Sequence, residues 1–301
     1  MEKRSILHML DPTANNSPFD VNMALDAGFD VLMPYSNVKL DSVNRLTQDA
    51  IFSRGPAGVK RTGIFIGGRD LALAMDMLDA CHQSMVPPFE VSVFADPSGA
   101  FTTAAALVAC VEKELKEKHG KNLQDSQVLV FGGTGPVGIA TGIIASLAGA
   151  GTILVDHLSV ETAIDVAKAY NRRFGCALNG AVATTDNDKA KLITNADIIF
   201  CTAKAGVQVL SATVLKEATQ LKVVGDVNAV PPLGIEGIKR NDLGAPLIHA
   251  INSKGAVAVG ALAVGNVKYQ LQHTMLKLML ETDKPLYLDF REAFIKARDI
   301  V

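Results

Sequence analysis

The chain has 301 residues, 49% of them hydrophobic and 20% charged, with a formal net charge of −2. That length is enough for two domains, each with its own core. The near-balanced charge gives no electrostatic case for nucleic acid or an anionic membrane surface as a partner.

The first ninety-five residues read as strands alternating with helices. Ser5–Leu10 is a short apolar strand, followed by a helix over Pro18–Gly28 with its proline near the start. Asp30–Pro34 and Gly63–Ile66 are further strands, and a helix over Asp41–Phe52 lies between them. Asp70–Ser84 carries Leu71, Ala74, Leu78 and Cys81 on one helical face, and Phe89–Phe94 is a fourth strand. This order predicts an α/β fold with a mostly parallel sheet, whose function lies in the loops after strand C-termini. Those loops are Asp11–Asp20, Tyr35–Lys39, Gly67–Asp70 and Asp96–Phe101. The last leads into a long helix from about Ala104 to Lys118. Asp96 and Ser98 have the residue types of helix caps, while the loop as a whole is polar, contains glycine and suits ligand contact. The charged segment Glu112–Gln127 reads as a solvated helix end and linker, which places a domain boundary at 121/122.

Beyond it, Val128–Asp156 organises the second half. An apolar run, Val128–Phe131, turns on Gly132-Gly133-Thr134-Gly135-Pro136-Val137-Gly138, enters a small-residue helix pattern, and returns as Thr152–Val155 closed by Asp156. Gly133, Gly135 and Gly138 fit G-x-G-x-x-G with a strand before, a helix after and an acid about 20 residues on, the context of a Rossmann dinucleotide site. The first glycine permits the turn, the second lets backbone approach a pyrophosphate, and the third lets helix pack on strand. A helix N-terminus then offers free N–H groups to the phosphates. Val128–Val155 carries no charge, but seven glycines and Pro136 make it a poor continuous membrane helix. NAD or NADP is therefore the expected cofactor, with Gly133, Thr134, Gly135, Pro136, Val137, Gly138, Asp156 and His157 as contacts. Asp156 favours NAD by bonding the ribose hydroxyl and repelling a 2′-phosphate, which His157 is placed to tolerate.

Ser159–Phe174 is a helix and Ala196–Thr202 a buried strand, whose exit through Thr202 and Ala203 skirts the cofactor. Leu221–Val227 is a strand leaving through Asp226-Val227-Asn228-Ala229-Val230-Pro231-Pro232, stiffened by its prolines. Ala256–Val259 is the final strand of this half, a helix runs from Leu262 to about Glu281, and the tail 285–301 has a helical pattern. Cys81, Cys110, Cys176 and Cys201 form no C-x-x-C and sit among apolar residues, as reduced core thiols of a cytoplasmic protein do. The six histidines show no ligand spacing, so no metal is expected. The apolar run of the N-terminus breaks at Asp11-Pro12, unlike a signal peptide.

These segments together resemble the NAD(P)-dependent methylene-tetrahydromethanopterin dehydrogenases of bacterial one-carbon metabolism. The likeness extends over essentially the whole chain and rests on Ser17-Pro18-Phe19-Asp20-Val21-Asn22-Met23, Phe94-Ala95-Asp96-Pro97, Phe101-Thr102-Thr103, the glycine turn, the Asp226–Pro232 segment and Gly260–Tyr269. It implies an N-terminal α/β domain (1–121, with the tail 273–301 packing back on it) and a Rossmann domain (122–272), with a pterin bound in the interdomain cleft. The implied reaction is hydride transfer from methylene-tetrahydromethanopterin to NAD(P)⁺. Lys268 is the implied catalytic residue, with Asp20, Tyr35, Asp96, Ser98, Phe101, Thr102 and Asn228 on the substrate side and Asn228 also near the cofactor. The resemblance further implies a homo-oligomer, commonly trimer-based.

Tyr35-Ser36-Asn37-Val38-Lys39 fits the Y-x-x-x-K of folate dehydrogenase–cyclohydrolases. The family resembled here usually has threonine at the last position, so Lys39 reads as a surface lysine. Oxidising a carbon between two nitrogens needs little acid–base help, because the lone pairs expel the hydride and the product cation is delocalised. Asp20 or Asp96 suits that cation, whereas an ammonium opposes it, so Lys268 needs a carboxylate partner, a neutral state or a pterin carbonyl to act on. A methylene-tetrahydrofolate dehydrogenase is the alternative enzyme, and a non-catalytic NAD(P)-sensing protein is the alternative outside catalysis.

Overall fold

The computed structural model describes residues 3–301. The chain forms two compact units, one comprising the residues up to Thr102 with Tyr269–Lys296, the other Thr103–Lys268 with Ala297–Val301.

In the first unit, β1 (Ile6–Leu10), α1 (Pro18–Asp26), β2 (Val31–Tyr35), α2 (Leu40–Phe52), α3 (Gly55–Val59), β3 (Thr62–Ile66), α4 (Leu71–Gln83) and β4 (Ser92–Ala95) precede the long helix α5 (Ala100–His119). Local chemistry sets the helix starts. Ser17 caps α1 with Pro18 in the first turn, and the Asp70 carboxylate accepts the Leu73 N–H at 3.0 Å to open α4. The second unit contains β5 (Gln127–Phe131), α6 (Pro136–Leu147), β6 (Gly151–Asp156), α7 (Val160–Phe174), β7 (Leu178–Val182), α8 (Asp186–Ile193), β8 (Ile198–Cys201), α9 (Ala212–Leu215), β9 (Val223–Asp226), β10 (Leu243–Pro246) and β11 (Val257–Val259). Then α10 (Ala261–Glu281) leads back into the first unit, which holds β12 (Tyr287–Leu288) and α11 (Phe290–Ile300) as far as Lys296.

The first sheet has the order β12-β4-β3-β1-β2, parallel throughout. Its interior strand β3 is buried along its whole length, as a strand covered on both faces must be. The second sheet, β10-β11-β9-β8-β5-β6-β7, is parallel except for the β10–β11 pair. Each order reverses beside the strand that opens the unit, between β1 and β3 in the first and between β5 and β8 in the second. Ligands of such sheets bind at those reversals, outside the strand C-termini. One face of the second sheet is packed by a core that includes Leu129, Phe131, Ile199, Leu215 and Val224. Among the described residues no helix is long and apolar enough to cross a membrane.

Three differences from the sequence expectation have physical causes. The division falls at 102/103 rather than in the charged segment, because α5 packs against the second sheet: a Cβ on Gly225 of β9 would lie 2.7 Å from Leu107 and 2.9 Å from Val111. Further divisions fall after Lys268, inside α10, and after Lys296, inside α11. The tail holds a strand as well as a helix, since β12 adds to the edge of the first sheet beside β4 with only two residues, too few to show alternation.

Candidate active site

In the second unit, the turn after β5 is shaped by what its glycines lack. Gly132 adopts φ 72°, so the left-handed turn residue is the glycine just before the motif. A Cβ on Gly133 would lie 2.6 Å from the Val130 carbonyl oxygen and 2.9 Å from Leu154 Cα, and one on Gly138 would lie 2.2 Å from the Gly132 carbonyl oxygen. Gly135 is different: a Cβ there meets only the Gly132 carbonyl oxygen, at 3.4 Å. Space beyond Gly135 is thus open, and α6 begins there without a side-chain cap on its first turn. Uncapped N–H groups beside open space are what a pyrophosphate requires, so these residues fit a dinucleotide. Pro136 is exposed and Val137 half-buried at the same end.

Neighbouring strands supply the rest of this rim. The Thr202 hydroxyl is shared between the carbonyls of Phe131 (2.9 Å) and Gly132 (3.2 Å), fastening the turn to β8, and Ala203 abuts Gly132. Asp156 ends β6 with both carboxylate oxygens engaged. Thr134 donates its hydroxyl to Oδ2 at 2.6 Å, and the N–H groups of Leu158 and Ser159 donate to Oδ1 at 2.8 and 3.0 Å. Burial pushes its pKa up, but these hydrogen bonds outweigh it and hold the carboxyl below the usual range. His157 beside it is exposed.

Asn228 is spent on its own loop. Its Oδ1 accepts from Gly206 (3.2 Å) and Val230 (2.9 Å), and its Nδ2 donates to the Pro232 carbonyl at 3.0 Å. Its effect on any ligand passes through the two loops it joins. Beneath it, Asp226 is fully buried and accepts the N–H groups of Asn228 and Ile235 at 2.9 and 3.1 Å, and burial raises its pKa.

In the first unit, Asp96 is fully buried at the end of β4 and holds the start of α5. It accepts the N–H groups of Phe101 (3.0 Å) and Thr102 (3.1 Å) and the Thr102 hydroxyl (2.6 Å). Phe101 is equally buried, edge-on to Phe290 at 5.3 Å. Phe101 and Thr102 therefore build the loop from below instead of offering surface to a ligand. Ser98 is the exposed member, at φ 53°, and its hydroxyl donates to the Gly68 carbonyl at 2.8 Å. Asp20 is buried in α1 and accepts from Gln272 Nε2 at 2.7 Å. Tyr35 lies half-buried at the end of β2, its hydroxyl 3.1 Å from His8 Nδ1, while Lys39 is exposed. Lys268 is half-buried in the third turn of α10. Among the described residues no group of three or more His, Cys, Asp or Glu side chains is placed to hold a metal.

Reading the sequence alone missed Asp11, Gln272 and Asp226. A usable signal was present for two of them. Five strands close on a buried aspartate preceded by an apolar or glycine residue: Asp156 and Asp226 are the last strand residues, and Asp11, Asp96 and Asp289 directly follow theirs. Gln272 had no such signal.

A parallel sheet with a glycine turn at its reversal, an uncapped helix start and an acid ending the next strand define a dinucleotide-binding α/β protein, here joined to a second parallel α/β unit. Solved structures share that fold: shikimate 5-dehydrogenase from Listeria monocytogenes is 14% identical with a TM-score of 0.52, covering 94% of this chain and 93% of that one. Ornithine carbamoyltransferase from Pyrococcus furiosus is 13% identical with a TM-score of 0.53, covering 94% and 87%. Those two proteins differ in chemistry, so the likeness defines fold alone. A family described as methylene-tetrahydromethanopterin dehydrogenase, N-terminal, matches residues 18–98. The NAD(P)-dependent methylenetetrahydromethanopterin dehydrogenase of Methylorubrum extorquens is 48% identical over 297 residues, 99% of each chain. The bifunctional protein MdtA of the same organism is 30% identical over 99% of each. The chain belongs to the methylene-tetrahydromethanopterin dehydrogenase family.

Proposed function

We propose that the protein oxidises methylene-tetrahydromethanopterin to the methenyl form with reduction of NAD(P)⁺. The observation that carries this reading is the 48% identity to the named dehydrogenase along the full length of both chains. A bound nicotinamide supplies the hydride acceptor. The open turn at Gly135 and the start of α6 hold the pyrophosphate, Thr202 and Ala203 border it, and Asp156 meets the adenosine ribose. The ionised Asp156 makes NAD the favoured cofactor, since its charge repels a 2′-phosphate. Asp20, Tyr35 and the Ser98 loop receive the pterin, and Lys268 orients it. The reacting carbon loses a hydride with its electron pair, no proton leaves it, and the two flanking nitrogens share the resulting positive charge. The residues therefore orient, exclude water and stabilise charge, with no proton to move at the reacting carbon. Homo-oligomeric assembly accompanies this reading and is measured by light scattering.

Cofactor reduction followed with methylene-tetrahydromethanopterin and methylene-tetrahydrofolate in parallel tests the proposal. Turnover favouring the first is expected, and no turnover with either sinks it. Lys268→Ala lowers turnover by roughly a hundredfold with NAD affinity retained, the scale of a lost catalytic contact. Lys268→Arg does not restore it, because a planar fork replaces a compact amine. Wild-type turnover in Lys268→Ala removes the assignment.

A further inference from the structure

The strand C-termini of the first unit carry a buried carboxylate with no part in the chemistry above. Asp11 directly follows β1, beside the reversal of strand order, and is 5% exposed. Its Oδ1 accepts the N–H and hydroxyl of Thr13 at 2.7 and 2.6 Å, an ordinary local turn. Its Oδ2 does something a local turn does not need: it reaches 57 residues along the chain to the Gly68 N–H at 3.2 Å. The chain makes room for it, since a Cβ on Gly67 would lie 2.7 Å from that oxygen. The Asp11 main chain ties a third loop, donating to the Tyr35 carbonyl and accepting from the Val38 N–H, both at 3.0 Å.

Two strained residues sit on this net. Among the described residues, Asn37 (φ 56°) and Ser98 (φ 53°) are the non-glycine residues with positive φ. Asn37 lies between the two residues bound by the Asp11 main chain, and its N–H donates to the Thr13 carbonyl at 2.8 Å. Ser98 bonds the carbonyl of Gly68, whose N–H Asp11 accepts. Such conformations are sparsely populated by non-glycine residues and persist where the surroundings over-determine them. Here the surroundings converge on one residue, Asp11, through its main chain at Asn37 and its carboxylate at Gly68.

We propose that Asp11 is a positioning residue for the substrate side, its carboxylate holding Thr13 and the Gly67–Asp70 loop while its main chain holds the Tyr35–Val38 loop, so setting Tyr35 and Ser98 for the pterin. This rests on the functional reading above. Two substitutions reach the same carboxylate by different routes. Asp11→Asn puts an N–H₂ group against donors, and Gly67→Ala pushes Oδ2 away from Gly68 while residue 11 remains an aspartate. Both lower kcat/KM for methylene-tetrahydromethanopterin by roughly thirtyfold, as misplaced binding groups do. KM for NAD stays within about twofold of wild type.

Amide hydrogen exchange supplies the second readout. Gly68, whose N–H is bonded to Oδ2, together with Asn37 and Ser98, loses protection in both variants while residues 132–138 keep theirs. Should Asp11→Asn fail to fold, Gly67→Ala carries both measurements. Pterin kinetics within about twofold of wild type in the folded variants overturn the proposal, as does an equal loss in the NAD and pterin parameters. If the wild-type protein turns over neither pterin, the functional reading falls. Exchange then decides the role of Asp11, with unchanged protection at Gly68 and Ser98 overturning it.

Discussion

The strand-end loops of the first unit and the glycine turn of the second are shaped by opposite means. In the first, side chains do it: Asp11 binds Gly68, Asp96 holds the start of α5, and Asp289 accepts the Arg291 N–H at 2.8 Å. In the second, the turn after β5 depends on side chains that are missing, at Gly132, Gly133 and Gly138. A loop held by carboxylates fails when a bond is lost and its donors are stranded. A turn held by close backbone contact fails when an atom is added. The first kind of loop is sensitive to subtraction and the glycine turn to addition.

The largest effect is expected from adding one carbon to the second unit. Gly138→Ala places Cβ 2.2 Å from the Gly132 carbonyl oxygen, where backbone cannot yield cheaply. It destabilises the protein by more than about 4 kcal/mol, read by urea denaturation and limited proteolysis of residues 103–268. An unchanged midpoint breaks the comparison.

Subtraction from the first unit comes next. Asp96→Ala strands the two N–H groups and the hydroxyl that the carboxylate satisfies. Buried donors without partners cost about 1 kcal/mol or more each, so about 3 kcal/mol is expected from the same denaturation experiment. A loss below about 1 kcal/mol shows that the loop is held by something else.

Gly135→Val sharpens the contrast inside the glycine turn itself. Its Cβ meets no close atom, so the fold loses no more than about 1 kcal/mol at this helix start. The valine fills the open space instead, and NAD affinity falls by about a hundredfold, about 2.7 kcal/mol, in a calorimetric titration. Normal affinity means the phosphates lie elsewhere.

The smallest effect concerns the acid beside that turn. Asp156 has a native pKa below its unfolded value, so its bonds contribute fully above the unfolded pKa and are lost as pH falls through the native one. Asp156 therefore stays ionised between about pH 5 and 8 and adds no titration of its own to the ratio of NAD to NADP affinity there. Asp156→Gly reduces that ratio by roughly tenfold, the worth of one lost bond to the ribose. A ratio unchanged in the variant assigns discrimination to another group.

Much of this was legible in the sequence because it was written locally. The glycine turn, with strand before and helix after, announces itself in seven consecutive residues, and Ser17-Pro18 and Asp70 mark helix starts by their own chemistry. What was illegible is the direction of contact. Phe101 and Thr102 lie in a polar strand-end loop, yet one packs on Phe290 and the other bonds Asp96, both out of solvent. Gln272 meets Asp20 from 252 residues away, and Asp11 meets Gly68 from 57. Pairings at such separation leave no periodicity to read. Strand β7 escaped for a different reason: Leu178-Asn179-Gly180-Ala181-Val182 is an edge strand with one buried residue, without the apolar alternation that marks a half-buried one.

The Thr202 hydroxyl closes the glycine turn from the side, and it does so with the protein's own carbonyls as partners. A turn fastened in this way has already surrendered its chain freedom during folding. A dinucleotide arriving there meets a finished mould, and little of its binding energy goes into ordering the backbone that receives it.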